Sequence, residues 1–303
     1  MRVTALLICL LVSFSAFAED KISGYITGGI FVINSDDKLM VDGDGDKSDF
    51  DSLTKIGAMI SGEINYALND RTKIHFGAPR TEIVPKLELG VTSKFMNKTE
   101  ADVSLLISPI ENEWENPYVY DRSKSKAESY GLKIKLKNIG GSGFFAESAA
   151  VHRNVADDKA KAAHSSLGRN GYDYELKAGY TLKKGKTFTD FFAKYSRGDR
   201  SGSAESFDGF GGGVKVTTLT HDGDFLIFLL SADRVDFDSA NPYFDETRKE
   251  TDYSAMLLYT LNNPFGFKDK FLTFAGGYSA REANTEFFDA ETYFAAIGAG
   301  LNF

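Results

Sequence analysis

The chain has 303 residues, a formal net charge of −8 and 26% charged residues. That acidity argues against a nucleic-acid partner, which wants a basic face. Its single cysteine, Cys9, lies in the leader described below, which excludes a disulfide framework, a thiolate metal site and a cysteine nucleophile from the mature chain.

The first residues read as an export signal. Arg2 is a short positive region, Ala5 to Val12 are apolar, and Ala16-Phe17-Ala18 gives the small-x-small pattern of signal-peptidase cleavage. Residues 1–18 are therefore expected to be a signal peptide, with 19–303 as one barrel domain. A lipoprotein anchor at Cys9 is the rival, but Ile8 stands where a small residue is needed and the preceding segment is short. No later run is apolar enough to cross a bilayer as a helix. Barrel strands need none, and a mean hydropathy of −0.25 suits a wall that faces water on one side. The 29 Gly and 25 Phe suit such a wall too, with glycine letting strands coil and aromatics forming interfacial girdles.

Alternating apolar and polar residues mark a strand with two unlike faces. In chain order, strands are predicted near 22–33, 54–66, 73–79, 84–95, 101–109, 129–138, 143–154, 172–182, 187–197, 207–218, 224–234, 251–261, 270–281 and 291–303. Tyr172 to Leu182 is the cleanest. Its Tyr172, Tyr174, Leu176, Ala178, Tyr180 and Leu182 oppose Asp173, Glu175, Lys177, Gly179 and Thr181. Leu226, Phe228 and Leu230 lie in a stretch apolar on both parities, so its faces stay unassigned. The fold class is an all-β, transmembrane, antiparallel up-and-down barrel of about 14 strands, with 12 as the fallback. Short turns at 69–70, 140–142, 183–185 and 221–223 are expected in the periplasm. Long polar loops at 34–52, 111–126, 155–170, 198–206, 236–249 and 282–290 are expected outside the cell.

The last strand places Tyr293, Ala295, Ile297, Ala299, Leu301 and Phe303 on one face. This closing pattern resembles the C-terminal signal that the barrel assembly machinery reads in bacterial outer-membrane barrels. Tyr293, Ile297, Leu301 and Phe303 are its expected carriers.

Inward parity places Lys55, Glu63, Lys86, Glu88, Lys133, Lys135, Glu147, Asp173, Glu175, Lys177, Asp190, Lys194 and Lys215 inside the wall. Charges of both signs there either bathe in a water-filled pore or pair across it and block it. The expected pore-lining set is Lys133, Lys135, Asp173, Glu175, Lys177, Asp190 and Lys194.

Two chemical sites compete with that reading. Asp42, Asp44 and Asp46 cluster with Gly43 and Gly45 like a calcium loop, but the EF-hand register puts Lys47 where its glycine belongs and Leu53 where its glutamate belongs. A solvated loop that repels neighbouring anions is the expected reading and no metal is assigned, with a non-helical calcium site as the weaker alternative. A hydrolase at the outer rim would need a histidine beside a nucleophile, and only His152 and His164, near Asp157, Ser165 and Ser166, qualify. No catalytic residues and no cofactor are assigned.

The loops carry a series of short motifs: Trp114-Glu115-Asn116-Pro117-Tyr118 with Asp121-Arg122, Leu167-Gly168-Arg169-Asn170-Gly171, Asn241-Pro242-Tyr243-Phe244 with Thr247-Arg248, Asn263-Pro264-Phe265-Gly266, and Glu286-Phe287-Phe288-Asp289. In order and spacing they resemble the bacterial family catalogued as domain of unknown function 2860. Asn170 departs from the aspartate expected there. The resemblance implies a Gram-negative exported outer-membrane barrel and transfers no active site.

The functional expectation is a porin-like passive channel for small hydrophilic solutes. The alternatives are a closed barrel whose outer loops act as adhesin or receptor, and an outer-rim membrane hydrolase. The expected location is the cell outer membrane. The expected partners are its lipid and lipopolysaccharide and the barrel assembly machinery, with oligomeric state left open.

Overall fold

The computed structural model describes residues 21–41, 52–79, 87–120, 122–220 and 223–303. The expected signal peptide, the calcium candidates Asp42, Asp44 and Asp46, the inward candidate Lys86, Asp121, and the turn residues His221 and Asp222 lie outside the described residues.

Fourteen strands close into one antiparallel barrel. They are β1 (Ile22–Asp37), β2 (Leu53–Asn69), β3 (Thr72–Gly77), β4 (Leu87–Lys94), β5 (Glu100–Trp114), β6 (Lys124–Lys137), β7 (Phe144–Val155), β8 (Gly171–Lys184), β9 (Thr187–Arg200), β10 (Phe207–Leu219), β11 (Phe225–Asn241), β12 (Glu246–Asn262), β13 (Lys270–Ala283) and β14 (Ala290–Asn302). Each strand pairs with its neighbours in sequence, and β1 pairs with β14 to close the ring. Closure gives every strand a neighbour on both sides, as a wall facing hydrocarbon requires.

Alternation sets the faces. Ile56, Ile60, Leu132, Ile134, Leu176, Leu257 and Ile297 are among the large apolar side chains exposed on the outer surface. Tyr293, Leu301 and Phe303 are exposed on the same outer face. At the seam the Gly24 N–H donates to the Phe303 carbonyl at 2.8 Å and the Phe303 N–H returns a bond at 3.1 Å. The Phe303 ring lies over Gly24, where a Cβ would collide with it.

The unassigned stretch of β11 resolves into two apolar faces. Phe228 and Leu230 point out, whereas Ile227 points in and is 1% exposed. Ile227 pairs with Leu258, and Leu229 with Met256, so this side of the inner wall is apolar towards the end that carries both termini. Tyr25 and Phe271 meet edge-to-face there at 6.3 Å, and the Tyr25 hydroxyl donates to the Ala78 carbonyl.

Several phenylalanines expected in the interfacial girdles face inward instead. Six of them stand directly across from a glycine: Phe31 and Gly57, Phe145 and Gly179, Phe192 and Gly213, Phe207 and Gly198, Phe271 and Gly300, Phe294 and Gly277. Each ring lies on the wall in the space a Cβ on its glycine would take. The glycine leaves backbone uncovered and the ring covers it, a recurrent device of curved sheets. Gly57 and Gly198 are the simplest cases, because the atoms nearest to a Cβ there all belong to the facing ring. Gly198→Ala should therefore force Phe207 upright and cost about 1–3 kcal/mol, and adding Phe207→Ala should recover the loss. Urea unfolding midpoints would check this, and a wild-type midpoint for Gly198→Ala would show that the ring does not depend on the glycine.

The connections alternate as expected, with one correction. The segment 236–249, read as a loop, is mostly strand, leaving only 242–245 between β11 and β12. Asp236, Asp238, Thr247 and Arg248 are polar because the hairpin rises beyond the apolar belt, while its backbone pairing resumes after a register shift between Asp236 and Ala240.

Candidate functional site: the lumen and its cap

Every described residue of the expected lining set lies on an inward strand position, and most are engaged. Lys133 pairs with Glu88, with side chains 10% and 3% exposed. Lys135 and Lys177 share Glu147 at 3.1 and 3.5 Å, and Lys177 also reaches Glu175 at 3.4 Å. Lys194 pairs with Asp233 on β11 at 2.8 Å, and Arg200 holds Asp173 at 2.5 and 2.7 Å. Asp190 accepts from the Thr181 hydroxyl at 2.6 Å. The structure thus brings these residues into one ion-paired inner wall, with Glu88, Glu147, Asp233 and Arg200 as partners.

Parity arguments missed a histidine inside the wall. His75 Nε2 lies 2.8 Å from an Asp102 carboxylate oxygen and 3.5 Å from Ser104 Oγ. Ser104 also donates to Asp102 at 2.6 Å, as does Thr92. A catalytic relay needs the imidazole to hold the acid on one nitrogen and the nucleophile on the other. Here both partners address Nε2, so the group ties β3, β4 and β5 together. The bare Gly90 beneath leaves room for the His75 ring.

The two rim histidines are not brought together. His152 is on the outer face of β7, its ring 5.0 Å from Tyr130 and 4.9 Å from Tyr172. His164 follows the short helix α1 (Lys159–Ala163) and meets Tyr243 edge-on at 5.2 Å. Among the described residues neither makes a side-chain hydrogen bond to Ser165, Ser166 or Asp157. No group of three or more His, Cys, Asp or Glu is placed to hold a metal ion among the described residues.

At the end opposite the termini the loops fold together over the lumen. The connection between β5 and β6 turns at Asn116, whose side-chain oxygen Oδ1 accepts from the Tyr118 N–H at 3.0 Å across Pro117. That turn delivers Tyr118 to the centre. Its ring stacks on Tyr243 at 5.0 Å, tilts against Phe287 at 5.8 Å and meets Phe244 and Phe288 edge-on at 6.1 and 6.3 Å. Its hydroxyl donates to Glu205, from the connection between β9 and β10. Four connections therefore converge on one tyrosine. Burial, aided by the charge of Glu205, pushes the Tyr118 phenol well above its ordinary value, so it stays a donor. Burial likewise pushes the Glu205 carboxyl up, against the opposing pull of Arg248.

Arginines fasten this cap to the wall. Arg169 donates to the carbonyls of Trp114 and Glu115 at 2.7 and 3.0 Å and to Asp158 at 2.9 Å. Arg122 lies 4.3 Å over the Trp114 ring and donates to the Lys38 carbonyl at 2.5 Å. Arg248 is sandwiched between Phe237 and Phe288 at 4.0 and 4.2 Å and holds Glu250 at 2.7 Å. Most of these residues belong to the aromatic loop motifs, the signal that marks the cap in the sequence.

A protein-family model described as "Protein of unknown function (DUF2860)" matches residues 22–302. The chain belongs to this DUF2860 family. No curated protein matches it. Among solved structures, this DUF2860 barrel is similar to the outer membrane channel DcaP of Acinetobacter baumannii, at 14% identity and a TM-score of 0.43 over 93% of this chain and 96% of that one. It is also similar to an anion-selective porin from Comamonas acidovorans, at 8% identity and a TM-score of 0.43 over 93% and 98%. A third is OccK8 (OprE) of Pseudomonas aeruginosa, at 10% identity and a TM-score of 0.42 over 94% and 99%. The DUF2860 fold described above rests on the chain's own strand pairing.

Proposed function

We propose that this protein is an outer-membrane channel for small hydrophilic solutes, with the loop cap as its gate and no catalytic role. The observation that carries the reading is the inner wall. Ionised and hydrogen-bonded side chains line three chambers: about 740 Å³ beside Glu88, Asp102 and Lys133, about 220 Å³ beside Asp233 and Asp252, and about 400 Å³ under the cap. A barrel serving only as a scaffold has no need to keep so many charges inside, where each costs desolvation unless paired or wet. The termini face the periplasm in this reading, and the cap faces outward. Residues 1–18 direct export, and the outward face of β14 is what the barrel assembly machinery reads. Lipid and lipopolysaccharide surround the apolar belt.

The set Lys133, Lys135, Asp173, Glu175, Lys177, Asp190 and Lys194 lines the conducting path. In planar bilayers the refolded barrel should give steady conductance steps. Neutralising the basic members should move the reversal potential under a salt gradient towards cation preference, and neutralising the acidic members should move it the other way. Unchanged currents and reversal potentials across all seven substitutions would remove the lining assignment. The aromatic cap favours a second reading, a closed barrel whose loops act as adhesin or receptor. A folded barrel that stays silent in the bilayer would support it.

A further inference from the structure

Four arginines line the chamber under the cap, and among the described residues two of them carry a donor atom without a partner. Arg153, Arg169, Arg200 and Arg248 all line its roughly 400 Å³, together with Trp114, Tyr118, Phe207 and Phe237. Two of the four are fully occupied: Arg169 by Asp158 and two carbonyls, Arg248 by Glu250 and two rings. The other two are not. Arg153 holds Glu113 and Arg200 holds Asp173, yet among the described residues Arg153 Nε and Arg200 Nη1 are buried with no hydrogen-bond partner. The Arg200 side chain is only 8% exposed. An unmet donor on a buried cation is costly, about 1–3 kcal/mol or more.

Register puts these two arginines in one row. Arg153 on β7 pairs with Gly171 on β8, and Gly171 pairs with Arg200 on β9. The position between the two guanidiniums therefore has no side chain. Gly171 takes φ 156°, and a Cβ there would meet Arg200 Cα at 2.8 Å. Three acids also line the chamber: Glu111, Glu113 and Glu205. Glu113 is taken up by Arg153 and Arg169, Glu205 accepts from Tyr118, and Glu111 accepts from the Ser108 hydroxyl at 2.9 Å. What remains is two guanidiniums in the lining, from positions on either side of Gly171 in the row, beneath apolar and aromatic walls. Guanidinium forks match carboxylate oxygens, and the rings offer an apolar body a surface.

We propose that this chamber binds a small organic carboxylate, its oxygens between Arg153 and Arg200 across Gly171 and its apolar body against Phe207 and Tyr118. The site rests on the channel reading in one respect: a bound carboxylate is then a solute the barrel takes in.

Trp114, the only tryptophan in the chain, lines the chamber and reports on it. The test titrates the refolded barrel with sodium benzoate, its neutral counterpart benzamide, acetate and inorganic phosphate, following Trp114 fluorescence, and records ion currents from the same preparation. Benzoate should give a saturable change, acetate a weaker one and benzamide none. Arg153→Gln and Arg200→Gln should each weaken benzoate by about tenfold or more, the loss of one charge-assisted contact. Arg197→Gln, on the outer face with Asp238, should leave it unchanged. If a glutamine variant does not fold, the ligand series on the unaltered protein decides alone. No saturable response to benzoate, an equal response to benzamide, or phosphate binding as tightly as benzoate would each overturn the proposal. Currents without benzoate binding would remove this site and leave the channel. Binding without currents would leave the site and remove the channel.

Discussion

Tyr118→Ala should open the cap. The substitution removes the one ring on which four connections converge and the donor to Glu205. Truncating a well-packed aromatic costs about 3–5 kcal/mol, here charged to the cap while the strand pairing below stays intact. At about 1.4 kcal/mol per factor of ten, the closed arrangement should lose about two orders of magnitude or more in population. Larger or longer-lived conductance steps are one readout. Acrylamide quenching of Trp114, which is 2% exposed, is another and does not depend on conduction. Tyr118→Phe keeps the rings and should have a smaller effect, about 1 kcal/mol for the lost hydrogen bond. A Tyr118→Ala barrel matching the unaltered protein in both readouts would show that Tyr118 does not hold the cap.

Lys133→Met should be the most destabilising change within the wall. Glu88 and Lys133 have the least exposed side chains of any lysine–carboxylate pair among the described residues, 3% and 10% exposed. Removing one partner of a pair this buried costs about 3–5 kcal/mol. The double change Lys133→Met with Glu88→Leu should recover most of it, because the two charges of the pair are then removed together. Urea unfolding followed by gel mobility would show the midpoint fall for the single variant and return for the double. A single variant with an unaltered midpoint would mean that water or another cation compensates Glu88.

The sequence made most of the wall legible, for a physical reason. A strand between lipid and a polar interior must alternate, and residues 172–182 do so without exception, so β8 is found within two residues at either end. Where the interior is also apolar the signal vanishes. Ile227 and Leu229 face in beside Leu226, Phe228 and Leu230 facing out, so no parity argument could separate them. At the rim a different confusion arose. Polarity reports the edge of the hydrocarbon, whereas the strand ends where pairing ends, and in β11 and β12 these are several residues apart. Parity also put Lys133, Asp173 and Lys177 on the inner face but could not name their partners, since Glu88, Arg200 and Glu147 are set by register. The cap was visible only as a series of aromatic motifs, because Tyr118, Glu205, Tyr243 and Phe288 meet across as many as 170 residues of sequence.

The phenylalanines that lie flat against their glycines have a bearing on calibre. A barrel's girth is usually discussed as a matter of strand number and tilt. In this wall the clear space inside also depends on whether six rings recline or stand. Each posture is decided on the neighbouring strand, by a residue contributing no side chain at all. At Gly57 and Gly198, where the facing ring is the nearest obstacle, one methyl group should raise the ring towards the axis. Such a barrel can be throttled or bored out by single substitutions, leaving its strand count, its register and its lipid-facing surface as they were.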